Sequence, residues 1–81
     1  MLGVNEPVNV WVYFKNKEIC PHVFFWNSRQ IRIDKINLIH QSRHGQTTYY
    51  HFSVSSEGNF YCLRFDATSL RWFLEMVEEE V

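Results

Sequence analysis

Apolar and polar residues alternate along most of this chain, with the period of two that is typical of half-buried β-strands. The alternation is clearest in Thr47–Ser55 and Phe60–Asp66, which Ser56–Asn59 joins as a hairpin turn with a glycine. The pattern predicts two neighbouring strands with large side chains on their inner face. The residues expected on that face are Tyr50, Phe52, Val54, Tyr61, Leu63 and Phe65.

Three earlier segments alternate in the same way, and polar turns separate them. The further strands are predicted at Val8–Phe14, Ile19–Trp26 and Gln30–His40. In the last of these, Ile31 and Ile33 share one face of the strand. Ile36 and Leu38 have the opposite parity, so the phase changes between the two pairs. A one-residue bulge near Asp34 would return all four to one face and would bend the strand.

The segment Leu70–Val77 fits two different patterns. Its even-numbered residues are all apolar, as in a strand, but its apolar residues also fit the stripe of a helix. Its tryptophan, phenylalanine and valine favour a strand. A helix would also end on Glu78–Glu80, where carboxylates oppose the helix dipole. We therefore predict a strand, and the alternative is a C-terminal helix at about residues 69–80.

Five or six strands with short connections predict an all-β fold. The expected architecture is an antiparallel meander that is curled into a small barrel or a strongly bent sheet. The helical alternative for the last segment would make the fold α+β. The 81 residues are expected to form one domain, with Met1–Pro7 as a disordered lead-in.

The composition fits a compact domain that needs neither metal nor disulfide. Aromatic residues are 17% of the chain, and each buried ring removes roughly 150–250 Å² from water. A net charge of −1 gives no long-range attraction to nucleic acid or membranes. The N-terminus lacks a signal-peptide pattern, and no apolar run is long enough to span a membrane. We therefore expect a cytoplasmic protein with reduced Cys20 and Cys62 and no membrane partner.

Residues from several predicted strands also resemble a known family. They are Pro21, Phe24–Trp26, Arg29, Ile31, Ile33, Ile36, Tyr50–Val54, Tyr61–Asp66, Leu70–Glu75 and Val77. Together they resemble a small bacterial domain of unknown function that often lies at the C-terminus of proteins related to Y-family DNA polymerases, in mutagenic-repair assemblies. The resemblance covers roughly residues 20–77. It implies an all-β fold that ends in a strand, an accessory rather than catalytic role, and an association with DNA repair.

Histidines and cysteines raise the question of a metal site. Cys20 and His22 can share a sheet face, and His40 and His44 have a suitable spacing. Neither pair is accompanied by a second clustered pair of the usual spacing that would complete a tetrahedral site. We therefore expect no metal and no cofactor.

An enzyme of the nucleophilic class would need a nucleophile, a base and an orienting acid. Cys62 and His51 lie on adjacent predicted strands, with Asp66 or Glu57 as the candidate third group. A curled sheet of this size offers little room for a substrate cleft. The chain also has neither a nucleophile-elbow motif nor a glycine-rich phosphate loop. We therefore expect no catalytic residues, no small-molecule substrate and no enzymatic activity.

Aromatic residues make protein binding the leading functional hypothesis. More rings fall on the predicted outer faces than a small curled sheet can hide. They are Trp11, Tyr13, Phe24, Trp26, Tyr49 and Phe60. Tryptophan and tyrosine are favoured interface anchors, and sheet edges add a route for pairing between chains, so we expect a protein partner or self-association. The expected contact residues are Trp11, Tyr13, Trp26 and Tyr49.

Binding of single-stranded nucleic acid is the alternative function. The basic residues of one predicted hairpin and its loop would contact phosphates. They are Arg29, Arg32, Lys35, Arg43 and His44. Trp11, Tyr13 and Tyr49 would stack on bases, each stack being worth roughly 1–3 kcal/mol. The slight net negative charge argues against this function, because nucleic-acid-binding domains usually carry a strongly basic stripe.

Overall fold

The computed structural model describes residues 2–79 and shows the all-β fold that the alternation predicts. Seven strands form one sheet of antiparallel neighbours in the order β3-β2-β1-β7-β6-β5-β4. The strands are β1 (Leu2–Lys15), β2 (Glu18–Trp26), β3 (Arg29–Arg32), β4 (Lys35–His44), β5 (Thr47–Ser56), β6 (Asn59–Asp66) and β7 (Arg71–Glu78). The last segment is a strand, as predicted, and the helical alternative is wrong for Arg71–Glu78.

The sheet has seven strands rather than the predicted five or six, because the third predicted strand is divided. Only Ile33 and Asp34 lie between β3, which pairs with β2, and β4, which pairs with β5. The backbone N–H of Ile33 donates to the carbonyl oxygen of His22 (2.8 Å). That of Asp34 donates to the carbonyl oxygen of Ser55 (2.9 Å). One continuous stretch of chain thus pairs first with β2 and then with β5, which lie near opposite ends of the strand order. The sheet accordingly curls into a half-barrel.

A bulge in β4 lies further along the strand than the sequence predicts. The register of the β4–β5 pair shifts between Ile36 and Leu38, so that Asn37 is the additional residue. Leu38 therefore points outward, and the prediction that it shares the inner face is wrong. Ile39, which lies opposite the buried Phe52, points inward in its place.

The first residues are not a disordered lead-in, because Leu2–Pro7 belongs to β1 and pairs with β7. Leu2 lies opposite Val77, so the two ends of the described chain are joined. Asn5 adopts a left-handed φ of 51° at a bulge in this pair. The bulge breaks the alternation, and the partner strand lies at the far end of the chain. The local sequence pattern therefore indicates neither the strand nor its pairing. Met1 lies outside the described residues.

The core lies on the concave face of the half-barrel, and the predicted inner residues of β5 and β6 are confirmed there, with Tyr50 half-buried. The buried core residues are Phe24, Ile31, Phe52, Val54, Tyr61, Leu63, Phe65, Trp72, Leu74 and Val77. In β7 the register shifts opposite Cys62, so that Glu75 is the additional residue. Val77 therefore takes the inner position after Leu74, where uninterrupted alternation would place Met76.

Tight turns connect most strands and require left-handed backbone conformations. Both central residues have positive φ in three of them, which are Asn16–Lys17, Asn27–Ser28 and Glu57–Gly58. This is the geometry of type I′ turns, whose twist matches that of paired strands. Between β4 and β5, Gly45 has a φ of 61° and supplies the left-handed position. Glycine adopts this conformation without steric cost, whereas Lys17, at a φ of 69°, carries a strained Cβ.

Replacing Lys17 by glycine is expected to stabilise the domain by roughly 0.5–1 kcal/mol, because relief of the left-handed strain exceeds the entropy lost by glycine on folding. Asn16 already supplies the first residue of the preferred Asn-Gly pair. Urea unfolding followed by tryptophan fluorescence measures the change. Lys15→Gly, at the last residue of the adjacent β1, is the matched control and is expected to destabilise the sheet, because Lys15 has no left-handed strain to relieve. A Lys17→Gly protein no more stable than the parent would contradict the explanation.

A side-chain cap orders the connection between β6 and β7. Asp66 Oδ1 accepts hydrogen bonds from the backbone N–H groups of Thr68 (2.8 Å) and Ser69 (3.1 Å). These bonds, that from Ser69 above all, lower the pKa of Asp66 below its usual value, against an opposing effect of desolvation. Leu70 then takes a φ of 61° and leaves its side chain exposed.

Candidate binding surfaces

Two exposed aromatic residues lie next to one another on the outer face of β1. Trp11 is 65% exposed and Tyr13 is 49% exposed. The Tyr13 ring stacks on His22, with the ring centroids 4.7 Å apart, and the Trp11 ring meets Phe25 edge to face at 6.0 Å. Val23 lies opposite Trp11 and is buried, so the two rings rest on a packed floor.

Polar side chains from β3 complete the walls of this surface, which we call the aromatic groove. Its volume is about 520 Å³. Its lining residues are Trp11, Val12, Tyr13, His22, Val23, Gln30, Arg32 and Ile33. Arg32 is the one permanent charge in this set, which contains no carboxylate. The groove therefore combines aromatic surface with hydrogen-bond donors and a positive charge.

The other residues expected at a protein interface lie elsewhere. Trp26 is half-buried, and its Nε1–H donates to Glu6 Oε2 (2.8 Å). Tyr49 is half-buried on the outer face of β5. Phe24 was expected on an outer face but is fully buried on the inner one, because it pairs with Val10 and packs into the core. The structure thus brings Trp11 and Tyr13 together and places Trp26 and Tyr49 on separate surfaces.

The five basic residues expected to contact nucleic acid all lie exposed along the continuous β3–β4 stretch, from Arg29 at its start to His44 at its end. They do not form one surface. Arg32 lines the aromatic groove, whereas Lys35 is the first residue of β4, where the chain pairs with β5 instead of β2. Arg43 lies opposite Thr48 at the far end of β4, on the face opposite to that of its neighbour His44.

The half-barrel is open on one side, between the start of β2 and β4. Because the β3–β4 stretch leaves β2 at His22, the residues of β2 before it and the whole of β4 have no strand between them in the described chain. The gap between the start of β2 and β4 is a cleft of about 600 Å³. Its lining residues are Lys17, Glu18, Ile19, Cys20, Ile36, Asn37, Leu38, Ile39, Tyr50 and Phe52. We call this region the open side.

A hydrogen-bonded network crosses the outer faces of β4, β5 and β7, with His51 at its centre. His51 Nε2 lies 2.7 Å from Ser42 Oγ, and His51 Nδ1 lies 3.2 Å from Glu75 Oε1. The ring of His40 stacks almost parallel on that of His51, with centroids 4.4 Å apart. Strand pairing explains part of the arrangement, because His40 and His51 lie directly opposite one another.

Arg64 extends the network across β6. Its Nη1 donates to Glu75 Oε2 (3.1 Å), so the one carboxylate serves both Arg64 and His51. The guanidinium lies 4.6 Å from the centre of the Phe73 ring and 5.5 Å from that of Tyr49. Such cation–π contacts hold an arginine in one orientation at a sheet surface.

The order serine, histidine, carboxylate is also the connectivity of a nucleophilic relay. However, Ser42 projects from the outer face of a sheet, and the aromatic groove and the open side are lined by other residues. Cys62 and His51, the candidate nucleophile and base, do not lie opposite one another, because Cys62 pairs with Ser53, with Sγ 4.0 Å from its Oγ, and His51 pairs with Arg64. We interpret the network as a structural link that ties β4 and β7 to β5.

The network could not be predicted from the sequence, because it depends on the register of three strand pairs. The alternation places His51 on an outer face, but it does not show which residues of other strands lie beside it. Glu75 reaches the network at the β7 bulge, which no local pattern marks. The separate spacing of Ser42, His51 and Glu75 carries no signal of its own.

Residues 2–79 contain no group of three or more histidine, cysteine or acidic side chains arranged to hold a metal ion. Cys20 lines the open side, and His22 stacks on Tyr13. Over the same residues, no helix has the length and apolar character needed to cross a membrane.

Comparisons of the chain with models of protein families, with curated proteins and with solved structures find no match.

Proposed function

We propose that this domain is a non-enzymatic accessory module that binds another protein through the aromatic groove. The observation that carries the proposal is the pair Trp11 and Tyr13, which stay exposed beside one another although the domain buries a complete core. Tryptophan and tyrosine at the centre of an interface supply most of its binding energy. The resemblance to an accessory domain of polymerase-related repair proteins supports the same kind of role.

The two exposed rings of the aromatic groove are preorganised in the free protein. Phe25 supports the Trp11 ring and His22 supports the Tyr13 ring, so both side chains have restricted freedom. Preorganised rings lose less conformational entropy on binding, which raises the affinity for a given contact area. Because the two anchors are uncharged, the affinity for a protein partner is expected to depend only weakly on salt.

Site-specific photo-crosslinking tests this proposal. A photoreactive residue at position 11 is expected to yield one discrete adduct with a second protein, and the same residue at position 70 is expected to yield none. The adduct is identified by mass spectrometry, and the complex is then reconstituted from purified components. Trp11→Ala is expected to weaken this complex by about thirtyfold, the size of a strong hot spot.

Leu70→Ala is the control for that measurement, since Leu70 is 69% exposed at the β6–β7 turn, outside the aromatic groove. It is expected to leave the affinity unchanged. An adduct that contains only two copies of this chain would assign the groove to self-association. A reconstituted complex that Trp11→Ala does not weaken would show that the groove is not the interface.

Single-stranded nucleic acid is the second candidate ligand of the same groove. The observation in its favour is Arg32, which lies with Trp11 and Tyr13 in a groove lined by no carboxylate. Stacked bases on the rings and a phosphate on Arg32 would use both features. Binding of a single strand in the aromatic groove would use only Arg32 of the five basic residues between Arg29 and His44.

An NMR titration of the labelled protein with a short oligothymidylate distinguishes the two ligands. Nucleic-acid binding would shift the amides of the groove and would weaken steeply with salt, because counterions are released from phosphates. Arg32→Gln would reduce the affinity, whereas Arg43→Gln, at the far end of β4, would not. An unchanged spectrum at low salt would exclude this ligand.

A further inference from the structure

We propose that the protein partner of the aromatic groove presents an extended, proline-containing segment whose carboxylate pairs with Arg32. This inference rests on the proposed function and names the chemistry of the partner at the same groove. Arg32 is then the residue that determines specificity, while Trp11 and Tyr13 supply most of the affinity.

Trp11, Val23 and Arg32 form one row across the outer face of three strands. Trp11 lies opposite Val23 in the β1–β2 pair, and Val23 lies opposite Arg32 in the β2–β3 pair. Val23 is only 7% exposed, although it does not belong to the core cluster on the inner face. Side chains of the outer face therefore cover it, and Trp11 and Arg32 are its neighbours in the row. A partner that binds over Trp11 and this floor also reaches Arg32.

The charge of Arg32 is available to a partner, because Arg32 makes no ion pair within residues 2–79. Asp34, the nearest acidic residue along the chain, is engaged at the β5–β6 turn, where its Oδ2 accepts a hydrogen bond from the backbone N–H of Glu57 (2.8 Å). Glu57 lines a smaller cavity of about 130 Å³ with the inner residue Ile31. Arg32 also borders that cavity, and there its carbonyl oxygen accepts a hydrogen bond from Ser56 Oγ (2.6 Å).

This charge selects a carboxylate over other occupants of the groove. A wholly apolar surface would take the guanidinium out of water without a counter-charge, which is strongly unfavourable. A basic segment would be repelled, although exposed rings by themselves attract cations. Two copies bound groove to groove would bring together two positive linings that contain no carboxylate, since both halves of a symmetric interface are the same. Nucleic acid is usually held by a stripe of cations, whereas this groove has one permanent charge.

The distance between the rings and the arginine indicates the form of the segment. Trp11 on β1 and Arg32 on β3 are separated by two strand spacings, which is roughly 9.5 Å. In the polyproline II conformation, every third residue lies on the same side, about 9.3 Å further along. Proline-rich segments in this conformation dock in aromatic-lined grooves of other small domains. A proline on the Trp11 ring therefore places the third residue beyond it at Arg32.

Peptides displayed on phage, with one fixed proline and random residues on both sides, test this inference against the full chain. We expect aspartate or glutamate to be enriched three residues from the proline. Selection on the Arg32→Glu variant is expected to enrich lysine or arginine at that position instead. Arg43→Glu makes the same change of charge at the far end of β4 and is expected to leave the acidic preference unchanged.

A synthetic peptide with the enriched sequence then isolates the ion pair. Replacing its acidic residue by the matching amide is expected to weaken binding about tenfold to the parent protein. The same replacement is expected to have no effect on binding to Arg32→Gln, because the charge that it would pair with is already absent. Circular dichroism confirms that the variants are folded, as expected for substitutions of an exposed side chain.

The outcomes separate this inference from the proposed function. Enriched peptides that need Trp11 but show no acidic preference would overturn the inference and leave the groove as a protein-binding site. An acidic preference that persists with Arg32→Glu would overturn it too, as would a selection that enriches no sequence. A dimer of the free protein, detected by sedimentation and abolished by Trp11→Ala, would assign the groove to a second copy. Crosslinking from position 11 decides the proposed function independently of these results.

Discussion

Phe24→Ala is expected to destabilise the domain by about 3–5 kcal/mol, which is much of the total stability of a chain this small. Phe24 is fully buried in β2, and its ring meets Tyr61 of β6 edge to face at 5.1 Å. The contact therefore crosses the half-barrel from β2 to β6, which are not neighbours in the sheet. Its loss removes the buried ring and leaves a cavity that strands held in ladders cannot collapse to fill.

Phe14→Ala is the matched control, because it deletes the same atoms from a ring that is 62% exposed. Its expected effect is within about 0.5 kcal/mol. Urea unfolding, followed by fluorescence and by circular dichroism, gives both values and shows whether the slope changes. Equal losses for the two variants would mean that the half-barrel does not close over Phe24 in solution.

Glu75→Ala is expected to cost roughly 1–3 kcal/mol, a large effect for a residue at a sheet surface. The carboxylate joins Arg64 and His51, and the side chains of Glu75 and Arg64 are only 28% and 23% exposed. Without it, a half-buried guanidinium loses its counter-charge, and its buried Nε already has no hydrogen-bond partner in the described chain. Exposed ion pairs, in contrast, contribute about 0–1 kcal/mol.

Glu78→Ala provides the comparison, since Glu78 is an exposed carboxylate at the end of the same strand. It is expected to change the free energy of unfolding by no more than about 0.5 kcal/mol. A double-mutant cycle between Glu75→Ala and Arg64→Ala then isolates the coupling between the two side chains. A coupling of zero would show that the network does not link the strands.

The fold class could be predicted from the chain because alternation is local. Tyr61, Leu63 and Phe65 show the period of two without any knowledge of their neighbours, and the structure buries all three. Leu2–Pro7 shows no such period, because the bulge at Asn5 interrupts the strand. Its partner, β7, lies at the other end of the chain, so no neighbouring segment indicates the pairing either. Phe24 was assigned to the wrong face, although it lies in a correctly predicted strand, because both faces of β2 are apolar.

The candidate binding surfaces were harder to predict from the sequence than the fold class was. Exposure of Trp11 and Tyr13 could be anticipated from their number and parity, but their contacts with Phe25 and His22 depend on the β1–β2 register. The open side could not be anticipated at all. It exists because two residues, Ile33 and Asp34, hydrogen-bond to different strands, and nothing in their local pattern distinguishes them from the middle of one strand.

The joining of Leu2 to Val77 has a consequence for the speed of folding. Most ladders of the sheet connect neighbours along the chain and can form as local hairpins within microseconds. The β1–β7 ladder instead closes a loop that contains nearly the whole domain, and its entropy must be lost before the contacts are gained. Closure of this ladder is therefore expected to limit the folding rate. Until it forms, β1 and β7 present two long unpaired edges to other chains, so dilute conditions should favour productive refolding.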